Sequence, residues 1–454
     1  MSALPTQRRA PSISEVPHPE QVEAVAASRW PKSFAALQVR NYRIYFCSQI
    51  VATTGLWMQR IAQDWMIADI TGSAAAVGIT IACQFLPVLI FGMFGGLIAD
   101  RFPKRKVLMV TQSVAAFFAL LLGVLATTGA VQAWHVYGIA MALGFVTVVD
   151  NPTRQAFVSD LVGRDYIRNA VSLNSSVFQL GGLIGPAVSG VLISMIGQGP
   201  SFMINSAACL LVVTLLWIMA VPNDLPNVAT AGPSSEKPSI ARDLAEGLRY
   251  IQRTPEVMWT MVLVATLALF GANMPVLLTA FATTEFANGV GGYSLFNTLI
   301  AIGSLTGAML SARRSGGPRL RLLVSSMVGL GIALSLAALS GAQLLFSAIL
   351  IGVGFCTLLF LTSANSLVQM TAPTAVRGRV MSVYLLVLLG FQAIGGPVMG
   401  FVIDHLGARP TMFINGIVVV LISIGSGLAM AHRSRLRLSV IRFHRIPALQ
   451  IVHR

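Results

Sequence analysis

Runs of roughly 20 apolar residues, the length that crosses about 30 Å of hydrocarbon as a helix, recur along this chain between short polar loops. Charged residues make up 10% of the sequence and apolar ones 55%, whereas a soluble domain carries about 25% charged residues. A chain of 454 residues with so few charges cannot cover a core in water. Lipid suits this surface. The apolar windows fall at about 44–67, 74–99, 107–128, 135–154, 170–194, 201–221, 258–281, 293–312, 320–340, 343–364, 380–403 and 410–431. They predict an all-α membrane protein with twelve transmembrane helices.

An even number of spans puts both termini on one side, and the basic residues choose it. The N-terminal tail holds Arg8, Arg9, Arg29, Lys32, Arg40 and Arg43. Alternate loops hold Arg101, Lys104, Arg105 and Lys106, then Arg154, Arg164 and Arg168, then Lys237, Arg242, Arg249 and Arg253. Arg313, Arg314, Arg319 and Arg321 follow, then Arg377 and Arg379, and six more lie between Arg433 and Arg454. The opposite loops hold Arg409 alone, while Arg60 lies inside a span. Cytoplasmic loops carry the Lys/Arg excess. Both termini are therefore expected in the cytoplasm, in a multi-pass protein of the cell inner membrane.

The net charge of +15 does not point to nucleic acid, because no Lys/Arg stripe with interleaved aromatics occurs. Cys47, Cys83, Cys209 and Cys356 each sit singly in an apolar run, so no disulfide framework or zinc site is expected. Prolines and scattered charges in residues 1–40, without an apolar h-region, read as a disordered cytoplasmic tail.

The chain is two copies of one unit. Gly190, Gly197, Pro200 and Asn205 recur 210 positions later as Gly400, Gly407, Pro410 and Asn415. Gly144-Phe145 recurs as Gly354-Phe355 at the same shift, and Gly185-Pro186 as Gly396-Pro397 at 211. Constant offsets of this kind signal duplication. The organisation expected is a tail (1–40), a six-helix bundle (41–221), a linker (222–256), a second pseudo-symmetric six-helix bundle (257–431) and a basic tail (432–454). Within the linker, Ile240 to Arg253 reads as an amphipathic helix on the membrane surface, with Ile240, Leu244, Leu248 and Ile251 opposite Arg242, Glu246, Arg249 and Arg253. Two such bundles around a shared site is the geometry of alternating-access transport.

The stretch Gly96-Leu-Ile-Ala-Asp100-Arg101-Phe-Pro103-Lys104-Arg105-Lys106 resembles the loop signature of the major facilitator superfamily. That signature is a Gly, an Asp four residues on and a cation cluster between spans two and three. The resemblance covers about residues 34–431 and implies the major facilitator fold; Pro103 stands where a Gly is usual. In the family this aspartate and its cations latch the cytoplasmic side closed. That implies a gate of Gly96, Asp100, Arg101, Lys104 and Arg105, with Asp150 at the end of span four. Trp57-Met-Gln-Arg60-Ile-Ala-Gln-Asp64-Trp65 and Asp150-Asn-Pro152-Thr-Arg154 look like the branch that includes the enterobactin exporters, near drug and macrolide efflux proteins. The resemblance implies proton-coupled export of a bulky organic solute. Gly181, Gly185, Pro186 and Gly190 resemble the antiporter glycine-proline motif, repeated as Gly396, Pro397 and Gly400; close helix packing is the other reading of these residues. The arginine that other drug exporters carry in the middle of span four is missing from Ile139 to Gly144.

Span one is unusually polar. At 100° per residue, Gln49, Thr53, Arg60, Gln63 and Asp64 fall within about 100° of one another, and Gln59 adds a further amide. A charge at the depth of Arg60 costs at least roughly 2.5 kcal/mol when unpaired. Arg60 and Asp64 stand four apart and are expected to pair along the helix. Asp64 is then the candidate proton-coupling acid and Arg60 its partner; a permanent structural ion pair is the alternative. Gln84, Gln179, Asn273, Asn297 and Gln392 are candidate cavity amides, with helix–helix hydrogen bonding the alternative for each. Asp69, Glu285 and Asp404, near the outer ends of spans, read as solvated.

No HExxH, GxSxG, CxxC or GxxxxGK[ST] pattern occurs, so neither an enzyme nor an ATPase is expected. No cofactor or metal is expected. The expected function is export of a siderophore-, drug- or metabolite-like small molecule by proton antiport, by a protein acting as a monomer. Proton-coupled import and a non-transporting sensor are the alternatives.

Overall fold

The computed structural model describes residues 32–219, 240–313, 320–433, 437–443 and 446–452. The expected disorder of residues 1–31 and the linker stretch 220–239 lie outside the described residues. The helices are α1 (Arg40–Thr71), α2 (Ala74–Arg101), α3 (Lys104–Thr127), α4 (Ala133–Gly163), α5 (Tyr166–Ile196) and α6 (Gln198–Ile218). After them come α7 (Ile240–Arg253), α8 (Pro255–Glu285), α9 (Gly289–Arg313), α10 (Leu320–Leu339), α11 (Gln343–Thr371), α12 (Thr374–Leu406) and α13 (Ala408–Arg433). The strands β1 (Arg437–Phe443) and β2 (Ile446–Val452) pair as an antiparallel hairpin. Among the described residues, eleven helices are long and apolar enough to cross a membrane. The long helix outside that set is α1, 32 residues or about 48 Å, whose amides and charges dilute its apolar content.

The duplication is visible in the packing. In the first half α2 crosses α4 and α3 crosses α6; in the second α9 crosses α11 and α10 crosses α13. Repeated glycines make these crossings close. A Cβ at Gly144 would lie 2.8 Å from the Gln84 carbonyl oxygen, and one at Gly354 would lie 1.9 Å from that of Ile300. Gly197 and Gly407, 210 positions apart, turn the chain into α6 and α13 at φ 86° and 89°, a region that disfavours side chains with a Cβ.

Several boundaries move from the sequence reading. Residues 32–40 belong to the fold and not to a disordered tail: Ala36 and Leu37 are buried, and the Ala36 amide donates to Asn169 Oδ1 at 2.9 Å. The loop expected after residue 154 is helical up to Gly163, where φ of 67° bends the chain. The linker helix α7 docks on the second half as well as presenting Leu244 and Leu248 outward. Ile251 is buried, the Tyr250 hydroxyl donates to the Thr371 carbonyl at 3.0 Å, and Glu246 pairs with Arg379. Helix α8 is broken by π-helical turns at Leu267–Gly271 and Phe281–Glu285. Between them the Asn273 amide donates to the carbonyls of Ala268 (3.0 Å) and Leu269 (3.2 Å), which the break frees.

The exceptional cation Arg409 is a staple. It pairs with Glu285, donates to the carbonyl oxygens of Ser340 (2.6 Å) and Ala338 (3.2 Å), and lies over the rings of Phe281 and Phe286. It thus ties α13 to the ends of α8 and α10, and Glu285 is paired and not simply solvated. Arg409→Ala is expected to cost about 2 kcal/mol, since it orphans one carboxylate and two carbonyls. The midpoint of thermal unfolding in detergent measures it.

Candidate transport cavity and domain interface

The two halves meet at one end of the molecule and part toward the end that carries the basic loops. At the meeting end, α2 and α12 approach backbone to backbone. A Cβ at Gly78 would lie 2.1 Å from the Gly396 carbonyl oxygen, and one at Gly400 would lie 2.4 Å from that of Ala74. On the other side of the interface, a Cβ at Gly190 would lie 2.4 Å from Ser294 Oγ.

A carboxylate reinforces this seal. Asp404, near the end of α12, accepts from the Ser73 hydroxyl at 2.6 Å and from the amides of Ala74 at 2.7 Å and Ala75 at 3.1 Å. Those amides open α2, so an anion sits on the positive end of a helix in the other half. The sequence reading of Asp404 as merely solvated is corrected: its neighbour lies 331 residues away in the chain, and only folding reveals it. Asp69 also has a partner, the Gln198 side-chain amide at 3.1 Å. Asp404→Ala is expected to shift the population away from this sealed state by about fivefold, the scale of one helix-end charge interaction. Spin-label distances across the seal check it.

Toward the basic end the halves enclose a cavity of about 640 Å³. Its first-half wall is rich in amides: Gln49, Gln59, Gln112, Asn151, Gln155, Asn174, Gln179 and Asn205. The second half contributes Ala308, Leu358 and Thr362. Of the predicted cavity residues, Gln49, Gln59 and Gln179 are brought together here. Gln63 and Asp64 are buried beyond it. Gln84, Asn273, Asn297 and Gln392 are not part of the lining. Asn273 serves the break in α8, and Asn297 donates to the Tyr293 carbonyl of its own helix at 2.9 Å.

One cavity cation escaped the sequence reading. Arg154, read there as a topology determinant and as part of a family-like phrase but not as a cavity residue, bonds Asp150 on its own helix and Gln49 on α1. Asp150 also accepts from the Thr111 hydroxyl at 2.7 Å and the Gln112 amide at 3.4 Å. This network joins α1, α3 and α4 in the cavity wall, and the i,i+4 spacing of Asp150 and Arg154 was its available signal.

Of the predicted basic-end gate, Lys104 and Arg105 are engaged within the first half. Lys104 pairs with Asp160 at 2.6 Å, and Arg105 donates to the Leu216 and Trp217 carbonyls at the end of α6. Both stay within the first half, as does Asp150. Asp100 and Arg101 are exposed at the end of α2. Gly96 has open space where a Cβ would stand, whereas at Gly95 a Cβ would lie 1.9 Å from the Val148 carbonyl oxygen. In span five, Gly181 and Gly185 admit Thr53 and Trp57 of α1 at close range, which is a packing role.

The expected Arg60–Asp64 ion pair is absent from the ion pairs of the described residues. Helical side chains lean toward the N-terminus, and Arg60 lies over the rings of Trp57 and Phe85, 5.5 Å from each centroid. Asp64 instead accepts from the Tyr293 hydroxyl of α9 at 3.2 Å. Its other oxygen is buried without a partner among the described residues. Trp65 stacks on the Tyr293 ring at 6.1 Å. A buried carboxylate on one half is thus held by a phenol on the other, at the sealed end.

A family model described as transmembrane secretion effector, within the major facilitator superfamily, matches residues 31–441. The chain belongs to this family of transporters. It is 24% identical over 384 residues to the multidrug efflux pump Tap of Mycolicibacterium fortuitum, covering 83% of this chain and 92% of Tap. It is 24% identical over 370 residues to the enterobactin exporter EntS of Escherichia coli O1:K1, covering 79% and 84%. With the staphyloferrin A transporter of Staphylococcus aureus it shares 27% identity over 175 residues, spanning 38% of this chain and 44% of that one. Among solved structures, the nucleoside transporter NupG superposes with a TM-score of 0.69 at 15% identity, covering 86% of this chain and 98% of NupG. A bacterial homologue of the lysosomal transporter Spinster, in an inward-facing conformation, superposes at 0.68 and 14% identity, covering 86% and 96%. The fold is that of the major facilitator transporters, which move small molecules across membranes and are not enzymes.

Proposed function

We propose that this protein exports a small organic molecule from the cytoplasm in exchange for protons, by alternating access, with Asp64 as the proton-carrying group. The observation that carries this reading is the Asp64–Tyr293 hydrogen bond across the sealed end. Rocking the halves apart at that end removes the Tyr293 hydroxyl and opens the carboxylate to water; closing them restores the bond. A carboxylate whose partners change with conformation can take a proton in one state and release it in the other.

The Lys/Arg asymmetry makes the basic end cytoplasmic, so the cavity faces the cytoplasm, both termini lie there, and the inner membrane of a bacterium is the expected site. An amide-lined cavity of this size suits one drug-sized solute. The efflux relatives favour export over import. Asp100 and Arg101 are proposed to close the cytoplasmic side in the alternate state, as the family signature implies. The test is a panel of siderophores, macrolides and dyes offered to inverted vesicles with an imposed proton gradient. Accumulation that collapses with the gradient is expected; accumulation indifferent to it overturns proton antiport.

A further inference from the structure

The cavity follows one stripe of α1, lined in turn by Gln49, Thr53 and Leu56. The next residue on that stripe is Arg60, which directly follows the lining residue Gln59 but does not itself line the cavity. Two aromatic rings separate it from the cavity: Phe178, in the cavity wall, packs on Trp57 at 5.7 Å, and Trp57 packs on Arg60. No carboxylate lies within 4.0 Å of Arg60 among the described residues, because Asp64 is turned to Tyr293.

Three buried donors on α1 and α2 near this position want an acceptor, beside the one unpartnered oxygen of Asp64. Trp57 Nε1, Gln63 Nε2 and Gln84 Nε2 are buried and have no hydrogen-bond partner among the described residues. Gln84 directly precedes Phe85, the second ring on the guanidinium. A cation at this depth outside direct pairing distance of its nearest carboxylate, Asp64, recovers only part of a burial cost of at least roughly 2.5 kcal/mol, and buried donors left unpaired add to that. Cation–π contacts recover only part of it. An oxyanion supplies the acceptor such donors lack, and a guanidinium fork matches the two oxygens of a carboxylate.

We infer that Arg60 anchors an anion-binding subsite behind the Trp57–Phe178 wall of the cavity, and that the exported molecule carries a carboxylate or comparable oxyanion. Rotation of the Trp57 and Phe178 side chains, which pack on each other within the first half, joins this subsite to the amide-lined cavity. The substrate class is then an amphipathic organic anion: neutral hydrogen-bonding groups meet the amides, and the anionic group meets Arg60. This rests on the export reading above and adds the charge of the cargo.

The test uses a set of aromatic carboxylates, each paired with its neutral methyl ester, and measures equilibrium binding to the purified full-length protein in lipid nanodiscs. The unmodified protein is expected to bind carboxylates at least tenfold more tightly than their esters. Arg60→Gln should bring carboxylate and ester affinities together, and Arg60→Lys, which keeps the charge, should retain part of the difference. Absence of any carboxylate preference in the unmodified protein, including no binding by either member of every pair, overturns the inference without recourse to a variant. So does a preference that survives in Arg60→Gln. Gradient-driven export of a neutral compound together with no carboxylate preference would sink the subsite and leave the export reading standing; loss of gradient-driven export would sink the reading itself.

Discussion

Asp64→Asn is expected to abolish uphill export while leaving the protein inserted, folded and able to equilibrate substrate down its gradient. The amide is nearly isosteric with the carboxylate, and its oxygen still accepts from Tyr293, so the contact between α1 and α9 survives. What disappears is a group that can take and release a proton. One pH unit supplies about 1.4 kcal/mol per proton, equivalent to about a tenfold concentration ratio, so the accumulation ratio in a one-unit gradient should fall from about ten per exchanged proton to one. Tyr293→Phe keeps the stack on Trp65 but removes the hydroxyl, and is expected to give intermediate, leaky coupling. Uphill export by Asp64→Asn at the wild-type level would remove Asp64 from the mechanism.

Gly78→Leu is expected to hold the protein open at the end now sealed and to reduce transport to background. The Gly396 carbonyl oxygen stands 2.1 Å from where a Cβ would be placed, and backbone cannot step aside as the tip of a side chain does. Overpacking of this kind costs about 1–3 kcal/mol in an ordinary core. Here the strain has an outlet, because the contact lies between two halves built to separate. At 1.4 kcal/mol per factor of ten, the sealed state should lose about five- to more than a hundredfold in population. Spin labels at Thr128 and Leu344, exposed on the two halves at that end, should move apart. Gly96→Ala is the contrasting substitution, since a Cβ there meets nothing within 4 Å in this conformation; it should insert and leave the sealed end closed. Equal opening of that end by both would mean that the glycines act through helix formation and not through contact.

The sequence carried the membrane class, the duplication and the family because each is written in local or periodic quantities. Apolar run length reports the solvent. The 210-residue recurrence of Gly197 as Gly407 reports a turn that both halves need. The polar stripe on α1 likewise marked Gln49 and Asp64 as residues turned away from lipid, and both are buried.

Partners were another matter. Helical spacing joined Arg60 to Asp64, yet the carboxylate faces Tyr293, 229 residues away, and the guanidinium faces rings. Arg154 looked like one more cation in a basic loop until α4 continued past it and Gln49 came alongside. Asp404 looked solvated until the start of α2 arrived from the other half. A helix fixes which residues share a face; it does not fix what that face meets, because the neighbour is chosen by packing between segments hundreds of residues apart. The sequence alone determined that this is a duplicated, lipid-borne bundle with charges on one face of its first span. Tertiary structure decided which groups those charges touch, which end of the molecule is sealed, and therefore which interactions must break when it moves.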